Sequence, residues 1–92
     1  MGTFHQGKSE LHGITVVVDT EGPVVYIGRC DDENEHEVIL LDAADHDSEA
    51  EGSSKDDYIA KAAKFGIWKK HDRISIPRDQ VASIRRLGEI TA

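Results

Sequence analysis

The side chains best equipped for chemistry fall into a few groups. The densest is "KAAKFGIWKKHDR", Lys61 to Arg73, where Phe65 and Trp68 are interleaved with Lys61, Lys64, Lys69, Lys70, His71 and Arg73. Cations set among aromatic rings pair phosphates and stack bases, which is the chemistry of single-stranded nucleic-acid binding. The same rings serve equally well as core or interface anchors, and lysines on a helix commonly face only water. A second group is "DDENEHE", Asp31 to Glu37, where His36 is the one stacking side chain among five carboxylates. Asp42, Asp45, His46 and Asp47, with His36, are ligand types for a hard or borderline cation, but their spacing matches no ligand frame. A solvated acidic loop is the simpler reading, and no metal or cofactor is expected. Cys30 and His36 could pair as nucleophile and base only in surroundings that favour a thiolate, and these are acidic. Catalysis is therefore not expected, and Cys30 reads as a small packed side chain.

Ninety-two residues make one domain with a modest core, since a chain of this size buries only about 60 to 65% of the surface that it exposes when unfolded. With 38% apolar and 32% charged residues, and no apolar run near the ~18 needed to span a bilayer, a soluble domain with no membrane partner is expected. No basic region followed by an apolar stretch opens the sequence, so the cytoplasm is the expected compartment. The net charge of −7 conceals an asymmetry. Residues 1–57 carry fifteen carboxylates against three cations, a charge of −12, whereas residues 58–92 carry eight cations against three carboxylates, a charge of +5. A polyanion partner is disfavoured overall, a local basic face remains, and mutual neutralisation of the halves is the plainer explanation.

The pattern that positions these residues is mostly β. Residues 1–12 read as a flexible lead-in with at most a helical turn near Ser9 to His12, and the domain as 13–92. "ITVVVD" from Ile14 is a strand with Ile14, Val16 and Val18 on one face. "TEGP" supplies a turn, and "VVYIGRC" resumes the strand pattern, with Gly28 marking a sharp bend or close backbone approach. Asp31 to Glu35 make a solvated tip, and "HEVILLDA" returns with Val38 and Leu40 facing one way and Ile39 and Leu41 the other. Residues 44–57 read as a variable acidic loop. Ser54 caps a short helix over 55–65 that ends at Gly66, with Tyr58, Ala62 and Phe65 on its apolar stripe and Ile59 and Ala63 beside them. Alternatively part of this stretch, with "GIWKK", enters the sheet. Ile74 and Ile76 lie on a fourth strand ending at Pro77, "RDQ" turns, and Val81 and Ile84 lead a fifth. The expected fold is a five-stranded, strongly bent antiparallel open barrel around Val16, Tyr26, Leu40, Ile76 and Ile84.

This succession resembles the Sm-like (LSm) family of SH3-like small β-barrels over roughly residues 13–87. "ITVVVDTEGPVVYIGRC" through "VILLDA" is similar to the family's first motif, and "ISIPRDQVASI" to its second. The resemblance implies a ring of identical subunits joined where the fourth strand of one copy pairs with the fifth of the next. In many relatives it also implies single-stranded RNA bound around the pore. RNA-binding relatives present an Asp, a stacking residue and an Asn on the tip between strands two and three, and an Arg-Gly pair between strands four and five. Here His36 stands at the stacking position, Glu37 where Asn is expected, and Pro77-Arg78 where Arg-Gly is expected, so that Arg78 keeps the charge.

The functional expectation is a homo-oligomeric ring that acts as a binding module for single-stranded RNA. Its candidate contacts are Lys61, Lys64, Trp68, Lys69, Lys70, Arg73, Arg78 and His36, with Lys69 and Lys70 mattering more than His36. The alternative is an assembly or adaptor protein of the same fold that touches only protein, which suits a net charge of −7.

Overall fold

The computed structural model describes residues 10–90. Its strands are β1 (Thr15–Thr20), β2 (Val24–Glu33), β3 (Glu37–Asp47), β4 (His71–Pro77) and β5 (Val81–Arg86). They form one sheet in the order β4-β3-β2-β1-β5, with every neighbouring pair antiparallel. Two helices, α1 (Ser48–Glu51) and α2 (Lys55–Phe65), fill the β3 to β4 connection, and the single 3-10 turn Arg78–Gln80 joins β4 to β5. This is the bent open barrel with a helix at 55–65 that the pattern predicts.

The bend is set where β2 meets β3. A Cβ at Gly28 would stand 2.7 Å from the Ala43 Cβ and 3.2 Å from that of Leu40, so only glycine lets the strands approach this closely. Beside it Asp42 takes φ 50, and the register slips between Ile27 and Arg29. Asp tolerates this left-handed conformation better than most residues. The extra residue returns Ala43 to the face of Leu40, and both pack in the same cluster.

Alternation along β1 divides the apolar side chains between two clusters. Val16 and Val18 join Cys30, Val38, Leu40, Ala43 and Ile76, with Tyr26, Ile74, Val81 and Ile84 packed against them. All five residues of the expected core lie here. Val17 joins Val25 and Ile27 on the other face, covered by Ile59 and Ala62 of α2. Helix α2 starts at Ser54, whose hydroxyl accepts from the Asp57 N–H at 3.0 Å, and stops at Gly66 with φ 85. Lys55 ties it to β1 through the Asp19 carboxylate at 2.7 Å and the Thr20 carbonyl at 2.8 Å.

Four local expectations are corrected. Of the stretch 44–57, residues 44–47 continue β3 and 48–51 form α1, because Val24 to Ile27 of β2 supply backbone partners as far as Asp47. Asp31 to Glu33 belong to β2, leaving 34–36 as the tip. Phe65 points to solvent, since the turn at Gly66 brings Ile67 onto the second cluster in its place. "GIWKK" stays outside the sheet as a connector, held by the Lys70 N–H on the Ala43 carbonyl at 2.8 Å. Residues 1–9 of the expected lead-in lie outside the described residues. Its described end is a turn in which Leu11 packs on the first cluster and the next residue but one, Gly13, donates to the Cys30 carbonyl at 2.7 Å.

Gly28→Ala is expected to lower unfolding stability by about 1–3 kcal/mol, the usual cost of overpacking a close contact. Urea denaturation measures it, and an unchanged midpoint would contradict the assigned approach.

Candidate nucleic-acid interface

The tip between β2 and β3 is closed by Asn34. Its side-chain oxygen accepts from the backbone N–H groups of His36 at 2.8 Å and Glu37 at 3.0 Å, and its own backbone N–H donates to the Glu37 carbonyl at 3.0 Å. This Asx arrangement replaces backbone partners with a side chain. It leaves His36 projecting outward, with 81% of its side chain exposed. Because Glu37 pairs with Pro77 in the β3–β4 register, the chain after β4 turns directly beside the tip. There the Arg78 N–H donates to the His36 carbonyl at 2.9 Å, and the Arg78 guanidinium reaches the Glu33 carboxylate at 3.1 Å. Ser75 donates to the Glu37 carboxylate. Glu33 and Glu37 are thereby engaged, and Glu35 lies 3.8 Å from the His36 ring.

The eight candidate residues therefore fall at two places. His36 and Arg78 converge at the tip. Lys61, Lys64, Trp68, Lys69 and Lys70 lie on α2 and the connector, where β4 begins opposite Ala43. Six residues of strand separate Ala43 from Glu37, about 20 Å at ~3.4 Å per residue. Arg73 lies between the two, on β4 opposite Leu41.

The second place is less basic than its sequence suggests. Lys69 lies 2.8 Å from Asp72 and 3.8 Å from Asp42, and Lys70 lies 3.6 Å from Asp45 and 3.9 Å from Glu51. The hydrogen bond and charge of Asp72 hold the Lys69 ammonium above its ordinary pKa, and those of Lys69 hold the Asp72 carboxyl below its own. Among the described residues, Lys61, Lys64 and Arg73 have no carboxylate partner, and Lys64 lies 5.4 Å from the Phe65 ring centre. Among the described residues, Phe65 and Trp68 are the large apolar side chains left in water, at 76% and 90% exposure.

The metal-ligand types are distributed over structural tasks. Asp42 pairs with Arg29 at 2.8 Å, and Asp47 caps α1 by accepting from the N–H groups of Glu49 and Ala50. His46, only 4% exposed, stacks on Tyr58 with ring centres 4.5 Å apart, and its Nε2 lies 2.8 Å from the Ser53 carbonyl. Cys30 is buried in the first cluster. The sequence pattern places Glu33 and Asn34 at the tip but does not show that Asn34 closes it, that Glu33 meets Arg78 or that Ser75 reaches it, although an Asn within a turn segment is a readable Asx-turn signal.

The open antiparallel five-stranded sheet with its short helix matches the Sm fold. The chain is similar in structure to the Sm protein of Pyrococcus abyssii in complex with a uridine heptamer, at 20% identity and a TM-score of 0.57, covering 83% of this chain and 86% of that one. No protein-family model and no curated protein matches the sequence. Among the described residues, no helix is long and apolar enough to cross a membrane.

Both tyrosines report on the packing around β3 and α2. Burial first, then the Asp45 charge, pushes the phenols of Tyr26 and Tyr58 above the usual 10.0, and Glu51 adds to the effect at Tyr58. The folded chain thus holds these protons more tightly than the unfolded chain. The associated stability is complete below the unfolded value of about 10 and declines as pH rises through the folded values. Absorbance titration is expected to show both phenols ionising above pH ~10 in the native chain and near ~10 in urea. A native phenol ionising at or below its urea value would contradict this packing.

Proposed function

We propose that this chain forms a homo-oligomeric Sm-like ring that binds single-stranded RNA at its converged tips. The observation carrying the reading is the Arg78 to His36 backbone hydrogen bond, which brings the residue with the exposed ring and the residue with the guanidinium to one end of the sheet. Two further features support it. The edges β4 and β5 are not paired with each other, and edge strands of a small open barrel need pairing or cover. A structural neighbour of the same fold is seen with a uridine heptamer. Head-to-tail pairing of β4 with β5 of the next copy closes both edges and repeats the tip around an axis. His36 then stacks a base, and Arg78 meets a phosphate in exchange for Glu33. Lys61, Lys64 and Arg73 supply outlying cations, while Lys69 and Lys70 are largely committed to carboxylates.

Light scattering tests the ring, and fluorescent oligo-U and oligo-A at two salt concentrations test the ligand. Affinity is expected to fall steeply with salt. His36→Ala is expected to cost about 1–3 kcal/mol per stacked base. Arg78→Ala reduces the salt slope by about 0.7 for each phosphate that the guanidinium neutralises. Glu35→Gln strengthens binding, and Lys69→Gln with Lys70→Gln changes it less than either tip substitution. An oligomer that binds neither oligonucleotide at low salt would replace this reading with the protein-only adaptor.

A further inference from the structure

Trp68 is the chain's only tryptophan, and at 90% exposure it is almost wholly in water. So large an aromatic surface gains most when a partner removes it from water, which is why tryptophan is prominent among interface anchors. Its position along the chain selects the partner. Trp68 precedes β4 by three residues, in the connector that leads into that edge strand.

The ring geometry, on which this inference rests, fixes what lies opposite. With every tip turned to the axis, β4 runs toward Arg78 and β5 runs away from it. Adjacent copies therefore pair these strands antiparallel. The start of β4 then meets the end of the neighbouring β5, where the chain continues through the 3-10 turn Leu87–Glu89 to Ile90.

At that end the structure has a groove of about 520 Å³ lined by Leu11, Ile84, Arg85, Arg86, Glu89 and Ile90. Leu11, Ile84 and Ile90 are half-buried and supply apolar walls, while exposed Arg85 and Glu89 form a charged rim. The segment arriving from the other copy is complementary. Asp72, with 88% of its side chain exposed, lies 2.8 Å from Lys69 of its own copy, and Glu89 lies 3.9 Å from Arg86. Exposed Arg85 has no carboxylate partner among the described residues, so the approach brings an exposed carboxylate toward an unpaired cation. We propose that Trp68 of each copy inserts into this groove of the next, with Arg85 or Arg86 over the indole as a cation–π partner.

The single tryptophan makes the test direct. The chain is diluted through its association range while light scattering, tryptophan emission and iodide quenching are recorded together. Emission is expected to move to shorter wavelength, and quenching to fall, with the same midpoint as association. Trp68→Ala, at an exposed site that the monomer does not need for folding, is expected to raise the concentration for half-association at least tenfold, and Arg85→Glu to raise it less. An assembled ring whose Trp68 keeps the emission and quenching of a water-exposed indole would overturn the anchor and leave the ring standing. Unchanged association of Trp68→Ala would do the same. So would a water-exposed Trp68 in the ring that oligo-U quenches, because the occupant would then be a base. A monomer at every concentration would remove the ring and the anchor together.

Discussion

With no side chain at position 28, β2 lies against Ala43 closely enough that any Cβ would collide, and the two longest strands must fold across one another there. The left-handed Asp42 and the register slip beside it absorb the extra residue, and Arg29 spans the irregularity to the Asp42 carboxylate. A sheet bent at this point wraps one face around Val16, Leu40 and Ile76 and offers the other to α2. It also leaves β4 and β5 as its two outer strands. The convergence of the tip with the β4–β5 turn follows from the same geometry, since the register that runs from Ala43 opposite His71 to Glu37 opposite Pro77 delivers Arg78 to His36.

The opposite charges of the two halves find a simple explanation within one copy. Lys69 meets Asp42, Lys70 meets Asp45 and Glu51, and Arg78 meets Glu33. Each joins a residue of the basic half to one of the acidic half. Exposed pairs of this kind contribute only about 0–1 kcal/mol each, so they do not hold the fold together. Their consequence is electrostatic. They offset Lys69 and Lys70 within Lys61 to Arg73, leave Lys61, Lys64 and Arg73 without carboxylate partners among the described residues, and require Arg78 to leave Glu33 before it meets a phosphate.

The strands were legible because β-branched alternation and turn residues specify both face and period, and the predicted core of Val16, Tyr26, Leu40, Ile76 and Ile84 falls in a single cluster. The helix was legible because Ser54 and Gly66 mark its ends, and those marks are local. What the pattern missed depends on contacts between distant segments. Residues 44–47 look like an acidic loop, yet β2 extends far enough to pair with them. Phe65 has helical spacing for the core, but Ile67 takes that place after the turn at Gly66. The candidate site divided for the same reason. Lys61 to Arg73 is continuous in sequence, whereas His36 and Arg78 are far apart along the chain and meet only through the β3–β4 register.

The central claim is that a bent sheet exposes two edges that a second copy closes. Amide hydrogen exchange across β4 and β5, followed as a function of protein concentration, tests it most directly. Edge pairing predicts that outward-facing amides of these two strands gain protection as concentration rises, while β2, internal to the sheet, is protected throughout. Exchange at β4 and β5 that is the same at every concentration would contradict it.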